Sequence, residues 1–429
     1  MVYGKKIEMN ISLKKLYILF EQGIMSLLNF SLIFVLSRLI APSLFKDFFL
    51  GYSIVIILSL VTSNFANQPL QVFLKKKENN SDYILKVLLL NIVVLLILSS
   101  ISFVIINNYY RFLSESLYYI FTLSFVVSIY DNLRRISFVY FQDNFLGNTL
   151  STFSIFSFFF LLTTVHYYLF NFISVNMVYV FLIASYFIGI FTFLLVRKKN
   201  IRSILSFQKN KKNITFSNLI KKHNSYAMWL VFGIILFWVY TQGVYFLAEK
   251  HIAIDDFNAV RIAQNLVGVL SIIFVTFENI MLTKTVAIFN GKDFKKLDSF
   301  VKTVLKKNLV AFIFIVLIIA LVTSFIYKIY YQNDAFYSGK IIYLLYFFIY
   351  QFIFGLSRIF VVALKAMNQT KYVFYNHLLT ALIIFVSSLF LFKRINSSGH
   401  TIAIIITLSI FIFSLGIYTS YKKVISKNK

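Results

Sequence analysis

Long apolar runs separated by short polar stretches repeat along this chain from end to end. A helix that crosses a bilayer needs about 20 mostly apolar residues, and twelve runs reach that length. They cover residues 16–38, 48–73, 84–107, 116–141, 149–171, 175–196, 225–248, 258–283, 308–328, 339–364, 372–392 and 401–420. The pattern therefore predicts an all-α integral membrane protein with twelve transmembrane helices.

The longest polar stretch lies halfway along the chain. Between Arg197 and Lys222 it carries nine Lys/Arg and no Asp or Glu. Six predicted spans precede it and six follow it. This arrangement predicts an N-terminal six-helix bundle, 1–196, a basic cytoplasmic linker, 197–224, and a C-terminal six-helix bundle, 225–429.

The connections between the spans differ in charge. With a cytoplasmic N-terminus, the inside connections hold roughly four times as many Lys and Arg as the outside ones, as the positive-inside rule requires. Both termini are then predicted to be cytoplasmic. The basic linker is accordingly expected to lie against anionic lipid headgroups.

Composition narrows the function classes. Of the 429 residues 59% are hydrophobic and only 13% are charged, whereas soluble domains carry about 25% charged residues. The net charge of +27 is explained by the Lys and Arg residues of the inside connections. The sequence contains no nucleic-acid-binding module. The chain has no cysteine, and its five histidines have no zinc-site spacing. We predict no nucleic-acid partner, no metal and no cofactor, with H⁺ or Na⁺ as candidate coupling ions.

Ionisable and amide side chains inside the predicted spans are the candidate functional residues, because such groups are costly in a membrane. One set consists of candidates for binding an anionic group in a cavity: Arg134, Arg135, Arg261, Arg358, Asn64, Asn67, Gln68, Gln264, Asn265 and Gln351. Three carboxylates are candidates for ion coupling: Glu21, Asp131 and Glu278.

The spacing of these residues leaves their roles open. Asp131, Arg134 and Arg135 share one helical face, as an intrahelical ion pair or as part of a substrate site. The polar stripe of span two, Asn64 to Gln71, either holds helices together or lines a cavity. Pro69 is expected to kink that span. A cavity that carries these arginines would attract an anionic head group, since arginine binds phosphate with two parallel hydrogen bonds.

Short repeated motifs accompany the equal helix number in the two halves. Leu-x-Arg-Ile occurs at 133–136 and at 356–359, and Asp-Phe occurs at 47–48 and at 256–257. Further short motifs are Leu36-Ser37-Arg38-Leu39-Ile40-Ala41-Pro42, Phe49-Leu50-Gly51-Tyr52, Leu133-Arg134-Arg135, Arg358-Ile359, Ala363-Leu364-Lys365-Ala366 and Thr370-Lys371-Tyr372.

With these motifs, its length and its helix number, the chain resembles the polysaccharide flippases of the multidrug/oligosaccharidyl-lipid/polysaccharide exporter superfamily. The likeness is to the translocases of O-antigen and capsule repeat units. Members of that family commonly have Gly-Pro and Phe-Gly-x-Tyr where this chain has Ala41-Pro42 and Phe49-Leu50-Gly51-Tyr52.

The resemblance implies a MATE-like arrangement of two six-helix bundles around a central cavity that opens to either side alternately. The implied cargo is a polyprenyl-diphosphate-linked oligosaccharide, moved from the cytoplasmic to the outer leaflet of the bacterial inner membrane for O-antigen, lipopolysaccharide or capsule biosynthesis. Transport would be coupled to an ion gradient. The implied partners are membrane lipids, this lipid-linked oligosaccharide and polysaccharide assembly proteins.

Two other function classes remain open. A drug or metabolite exporter of the same fold would favour an acidic or aromatic cavity over one that carries arginines. An enzyme, either a membrane polysaccharide polymerase or an acyltransferase, would need a large outer loop or a paired catalytic histidine. The sequence has neither feature, so we predict a protein that is not an enzyme.

Overall fold

The structure is a computed structural model that describes residues 2–73, 81–140, 146–198, 215–289, 293–331, 337–394 and 398–428, and its regular elements there are all helices. The chain forms two compact units, 1–231 and 232–429. In chain order, the α-helices are α1 Val2–Leu39, α2 Pro42–Thr62, α3 Gln68–Phe73, α4 Ser81–Tyr109, α5 Leu117–Tyr140, α6 Leu146–Phe170, α7 Val175–Val196, α8 Phe216–Trp238, α9 Val244–Ala248, α10 Ile254–Phe289, α11 Phe294–Tyr331, α12 Ile342–Ala366, α13 Thr370–Arg394 and α14 Gly399–Asn428.

Three shorter helices complete the described elements. Two are π-helices, Ser63–Asn67 between α2 and α3 and Val239–Gly243 between α8 and α9. The third is a 3₁₀-helix, Arg111–Ser116, which joins α4 to α5. Each of the twelve predicted spans overlaps one of these helices or one continuous run of them.

The length and composition of the helices make this a multi-pass membrane protein. Among the described residues, ten helical segments are long and apolar enough to cross a membrane. Helices α1 and α10 are not among the ten, although Gly23–Leu39 of α1 forms a shorter apolar segment. The count of twelve spans and the cytoplasmic termini therefore stay predictions. Most of the basic linker, residues 199–214, lies outside the described residues.

Local sequence signals explain several helix ends. Pro42 occupies the first turn of α2, where its missing N–H would have had no partner in the helix. The Ser174 side chain caps α7 by accepting a hydrogen bond from the Met177 N–H at 3.3 Å. Asn171 follows the last residue of α6 with φ 53°, in the left-handed conformation that commonly ends a helix.

Helix α11 continues well beyond its predicted span, 308–328. Its N-terminal part buries Leu297, Asp298 and Val301, while the flanking lysines, Lys295, Lys296 and Lys302, are exposed. The Tyr421 hydroxyl of α14 donates a hydrogen bond to Asp298 at 3.0 Å. This end of α11 is thus an amphipathic helix packed on α14, so hydropathy alone placed the start of the helix too late.

Span two is interrupted by the first π-helix, which ends at Asn67, two residues before Pro69. Proline has no N–H, so the carbonyl of Phe65 four residues earlier loses its α-helical donor. The His223 Nδ1 atom lies 3.0 Å from that carbonyl and must donate to it, which makes Nε2 the acceptor for the Tyr83 hydroxyl at 2.9 Å. His223 is fully buried. The N-terminal part of α8 is therefore attached to the break in span two.

Gly355 allows α10 and α12 to approach each other closely. A Cβ at this position would lie 2.7 Å from the ring of Phe274, which is itself fully buried. Gly268 on α10 has no atom within 4 Å of the equivalent position. The two glycines therefore differ in the space available for a methyl group.

Gly355→Ala is expected to destabilise the chain by about 1–3 kcal/mol, because the added methyl group overpacks the contact with Phe274. Gly268→Ala is the matched control and should be neutral or stabilise by up to about 1 kcal/mol, since alanine favours the helix and meets no neighbour. Thermal unfolding in detergent measures both variants. Equal midpoints for the two would contradict the close approach at Gly355.

Asp256, which precedes predicted span eight, connects three elements of the second unit. Its Oδ1 accepts from the Tyr343 hydroxyl at 3.0 Å and pairs with the Lys340 Nζ at 3.0 Å. Its Oδ2 accepts from the Gly399 N–H at 3.0 Å. Burial acts to raise the pKa of Asp256, but these hydrogen bonds and the Lys340 charge outweigh it, so the pKa lies below its ordinary value.

Asp256→Asn is expected to lower the unfolding midpoint at neutral pH. A carboxyl group whose folded-state pKa is lowered stabilises the fold above its unfolded pKa of about 3.9. That stabilisation is lost as the pH falls through the lower folded pKa. The midpoint difference between wild type and variant should therefore shrink from about pH 7 to about pH 3. Asp255→Asn leaves the bonds to Gly399 and Tyr343 in place and should have the smaller effect at neutral pH.

Candidate functional site

The first candidate site is a group of charged and amide side chains in the first unit, here called the first ionic cluster: Glu21, Asn67, Asp131, Arg134 and Arg135. The Asp131 Oδ2 accepts hydrogen bonds from Arg135 Nε at 2.9 Å and from Asn67 Nδ2 at 3.0 Å. The Arg134 Nη2 lies 3.6 Å from Asp131 Oδ1. The intrahelical ion pair considered from the spacing is present, and Asn67 adds a contact from span two.

Glu21 joins this cluster from α1. Its side chain is 1% exposed, and its Oε1 lies 3.4 Å from Arg134 Nη1. Neither carboxylate oxygen of Glu21 forms a hydrogen bond in the part of the chain that the structure describes. Arg134 therefore lies between two carboxylates and forms the ionic contact of Glu21.

A chain of buried hydrogen bonds leads from α2 to Asp131. The Thr62 and Ser128 hydroxyls are 2.9 Å apart, and Ser128 donates to Asn91 Oδ1 at 2.7 Å. Asn91 Nδ2 donates to Asn67 Oδ1 at 3.3 Å, and Asn67 donates to Asp131. Every donor from Ser128 onward is directed towards the carboxylate. Because hydrogen bonds in series polarise one another, this orientation stabilises the negative charge of Asp131.

The second candidate site lies in the second unit and is here called the second ionic cluster: Glu278, Arg358 and Lys365. Glu278 on α10 receives a hydrogen bond from Lys365 Nζ at 2.7 Å and a longer one from Arg358 Nη1 at 3.3 Å. Both cations lie on α12, and the Arg358 guanidinium also lies 4.0 Å from the centre of the Phe354 ring. Two cations thus share one carboxylate.

Arg261 forms a separate group, the Arg261 cluster, with Gln242, Tyr245 and Gln264. Its Nη1 donates to Gln242 Oε1 at 2.9 Å and also to the Gln264 side chain. The Tyr245 hydroxyl donates to Gln264 Oε1 at 2.9 Å, and the Arg261 guanidinium lies 5.4 Å from the Tyr245 ring centre. Arg261 is buried at 7% exposure, so amides and an aromatic ring surround its charge.

Each described π-helix supplies an amide to a charged group. Asn67, in the π-helix of the first unit, donates to Asp131, and Gln242, in that of the second unit, accepts from Arg261. A π-helical turn displaces side chains from the regular helical pattern and is frequent at functional sites. The sequence prediction identified Asn67, but the helical stripe rules did not identify Gln242.

The remaining predicted site residues are Asn64, Gln68, Gln351 and Asn265, each next to one of these clusters in sequence. Asn64 donates to the Leu60 carbonyl of its own helix at 2.7 Å, and Gln68 donates to Asn64 at 2.8 Å. Gln351 is buried and lies two turns before Arg358 on α12. Asn265 follows Gln264 on α10 and is half-buried.

Sequence reasoning missed several residues that contact the predicted ones. Lys365, Gln242, Asn91, Ser128 and His223 are not among the predicted site residues. The signal for His223 was Pro69, because a proline inside a buried helix leaves one carbonyl in need of a donor. His377 also has partners, since its Nδ1 lies 2.9 Å from the Tyr240 hydroxyl and its ring stacks on Phe413.

No protein-family model and no curated protein sequence matches the chain. Solved structures do match its fold. The inward-facing conformation of a multidrug resistance MATE family transporter of the MOP superfamily has a TM-score of 0.70 at 10% identity, covering 97% of this chain and 95% of that chain. The outward-facing conformation of such a transporter has a TM-score of 0.68 at 12% identity, covering 96% and 95%.

A third match concerns a transporter whose pocket differs in charge. A MOP superfamily transporter from Pyrococcus furiosus, described by the reverse polarity of its binding pocket, has a TM-score of 0.66 at 11% identity, covering 96% of this chain and 94% of that chain. Identities this low establish the fold and not the cargo. The chain is an all-helical, multi-pass membrane protein with the fold of the MATE transporters of the MOP superfamily.

Proposed function

We propose that this chain is a secondary transporter that exports its cargo by alternating access, and that it is not an enzyme. The observation that carries the proposal is the fold, which is similar over almost the whole chain to both an inward-facing and an outward-facing transporter structure. Its cargo is a drug- or metabolite-sized amphiphile, in keeping with the multidrug resistance transporters that the fold resembles. This departs from the lipid-linked oligosaccharide that the sequence motifs favoured.

The charges in the second unit indicate an anionic cargo. The second ionic cluster and the Arg261 cluster together contain three cations, Arg261, Arg358 and Lys365, and one carboxylate, Glu278, which contacts Arg358 and Lys365. Arginine retains its charge when it is desolvated and binds phosphate or carboxylate groups through two parallel hydrogen bonds. These side chains therefore suit an organic anion better than the cations that acidic pockets bind.

The cationic side chains of these two clusters also support a second candidate cargo. A polyprenyl diphosphate linked to an oligosaccharide also carries its negative charge on a compact group that arginines bind. In that case the chain would translocate repeat units for cell-surface polysaccharide across the bacterial inner membrane, working beside polysaccharide assembly proteins. The two cargoes share the anionic group and differ in the attached lipid and sugar.

Coupling to an ion gradient is assigned to Glu21. Its carboxylate is buried and has Arg134 as its ionic contact, whereas Asp131 and Glu278 each receive two hydrogen bonds from side chains. A carboxylate with fewer stabilising donors is the easier one to neutralise. H⁺ or Na⁺ would therefore act at Glu21 and release Arg134 from it.

Transport by the purified chain in proteoliposomes tests these proposals. With an imposed H⁺ or Na⁺ gradient, an anionic dye should be transported and a cationic dye should not. Arg358→Gln and Arg261→Gln should each reduce anion transport about tenfold, equivalent to about 1.4 kcal/mol of lost ion pairing. Arg38→Gln, at an exposed position outside the clusters, is the matched control. Transport of the cationic dye alone, with all arginine variants active, would overturn the anionic cargo.

Two further measurements distinguish the two candidate cargoes and test the coupling role of Glu21. A fluorescent polyprenyl diphosphate sugar that is translocated while free anionic dyes are not would select the flippase function. Glu21→Gln should abolish accumulation against a gradient while exchange of cargo down its own gradient persists. If accumulation is normal in Glu21→Gln, then the coupling site lies elsewhere.

A further inference from the structure

The first unit contains a groove whose lining includes no residue of the two ionic clusters. Its volume is about 720 Å³, which lies within the range of about 300–1,000 Å³ typical of small-molecule sites. Helices α4 and α5 form its walls, with residues such as Phe103 and Phe125, and α7 contributes Phe187 and Ile190. All three helices are among the segments that are long and apolar enough to cross the membrane.

The lining of the groove is apolar and carries no charged residue. Two of its hydroxyl groups are already used within their own helices. Ser100 donates to the Leu96 carbonyl at 2.9 Å, and Thr122 donates to the Tyr118 carbonyl at 2.8 Å. A polar ligand would lose its hydrogen bonds to water there and gain few in return. The chemistry of the groove therefore fits a hydrocarbon chain.

The length of the groove corresponds to one leaflet of a bilayer. On α5 its lining extends from Tyr118 to Ile129, which at 1.5 Å per residue is roughly 16 Å. The hydrocarbon core of a bilayer is about 30 Å thick, so one leaflet accounts for about 15 Å. The groove begins at the end of α5 that follows the 3₁₀-helix Arg111–Ser116. One lipid chain of that leaflet would match this length.

The charges at the same end of the helices do not favour a particular headgroup. The 3₁₀-helix carries Arg111 and Glu115, and α2 places Lys46 next to it, with the Lys46 Nζ 5.8 Å from the Phe112 ring centre. Asp47 follows Lys46 directly. Two positive and two negative side chains thus occur together. A bound lipid would be selected by its chain and not by the charge of its headgroup.

We propose that this groove is a binding site for one acyl chain of a membrane phospholipid, in the leaflet next to the 3₁₀-helix. The chain would contact α4, α5 and α7 together and fill space that side chains leave open. Binding would therefore stabilise the packing of these three helices. Lipid binding in this groove requires only that the protein lies in a membrane, so it is independent of the cargo and of the transport function.

Native mass spectrometry of the purified chain in detergent, with added phospholipid, tests the site. Dipalmitoyl lipids should be retained, and dioctanoyl lipids of the same headgroup should not, because short chains fill less of the groove. Phosphatidylcholine and phosphatidylglycerol should be retained equally. Retention of the anionic lipid alone would overturn the proposal, because it would locate binding at the charged residues and not in the groove.

Ser100→Trp should fill the groove and weaken lipid retention about tenfold. Ile97→Trp is the matched control, because Ile97 lies on the same helix, is exposed and does not line the groove. It should retain lipid as wild type does. Thr122→Phe provides a second filling variant from α5, and thermal unfolding in lipid-free detergent confirms that each variant is folded. Unchanged retention in a folded Ser100→Trp or Thr122→Phe variant would refute the proposal.

Discussion

Arg134→Met is expected to destabilise the folded chain by about 3–5 kcal/mol, the usual effect of removing one partner from a buried ion pair. Arg134 lies between Glu21 and Asp131, and the Glu21 side chain is 1% exposed. Without the guanidinium, the Glu21 carboxylate is buried with no described hydrogen-bond donor. Unfolding with a denaturing detergent, followed by circular dichroism, measures the change.

Two further variants make this prediction specific. Arg135→Met removes the same side chain one residue later, but Asp131 then keeps its contacts with Asn67 and Arg134. Its effect should be clearly smaller. Glu21→Gln added to Arg134→Met removes the unpaired charge and should restore more than half of the lost stability. Equal effects of Arg134→Met and Arg135→Met, or no rescue by Glu21→Gln, would contradict the role assigned to Arg134.

The positions of the membrane segments followed from the sequence because the bilayer imposes a simple rule. Backbone groups in hydrocarbon must be paired within the segment, so a sufficiently long apolar run becomes a helix. The predicted span 175–196 coincides with α7. The rule does not cover helix ends in water, where α11 continues as an amphipathic helix that is held to α14 by Tyr421 and Asp298.

The candidate site was predictable only where its members are close in sequence. Asp131, Arg134 and Arg135 were recognised as one helical face because their spacing is local. The partner of Arg358 was not recognised, since Glu278 is 80 residues away and on another helix. Glu21 and Arg134 are also far apart in sequence. Pairing across helices depends on tertiary packing, which a single sequence does not reveal.

The repeated sequence motifs have similar surroundings in the two units. Leu133-Arg134-Arg135-Ile136 and Leu356-Ser357-Arg358-Ile359 both place arginines against carboxylates and bury the isoleucine that follows. Phe48 and Phe257, which follow the repeated aspartates, are both fully buried against a tyrosine ring, Tyr179 and Tyr245 respectively. The short motifs therefore correspond to similar local packing in the two halves.

Glu278→Gln is expected to lower stability by about 3–5 kcal/mol, because two cations then lose their shared carboxylate. The Glu278 side chain is 11% exposed, and Arg358 and Lys365 lie 3.3 and 2.7 Å from its oxygens. With glutamine at this position, the positive charges of Arg358 and Lys365 repel each other without compensation. The measurement is the same detergent unfolding, together with the amount of folded protein recovered from membranes.

Removing one cation from the Glu278→Gln variant should show whether the lost stability comes from unpaired charge or from altered packing. Arg358→Met added to Glu278→Gln removes the more buried charge, 18% exposed against 30% for Lys365, and should restore most of the stability. Lys365→Met alone should have a small effect, since Glu278 keeps Arg358 and the half-exposed lysine is partly solvated. If Lys365→Met were as damaging as Glu278→Gln, the lysine and not Arg358 would be the essential partner of Glu278. If Arg358→Met did not rescue Glu278→Gln, the carboxylate would act through its packing and not through its charge.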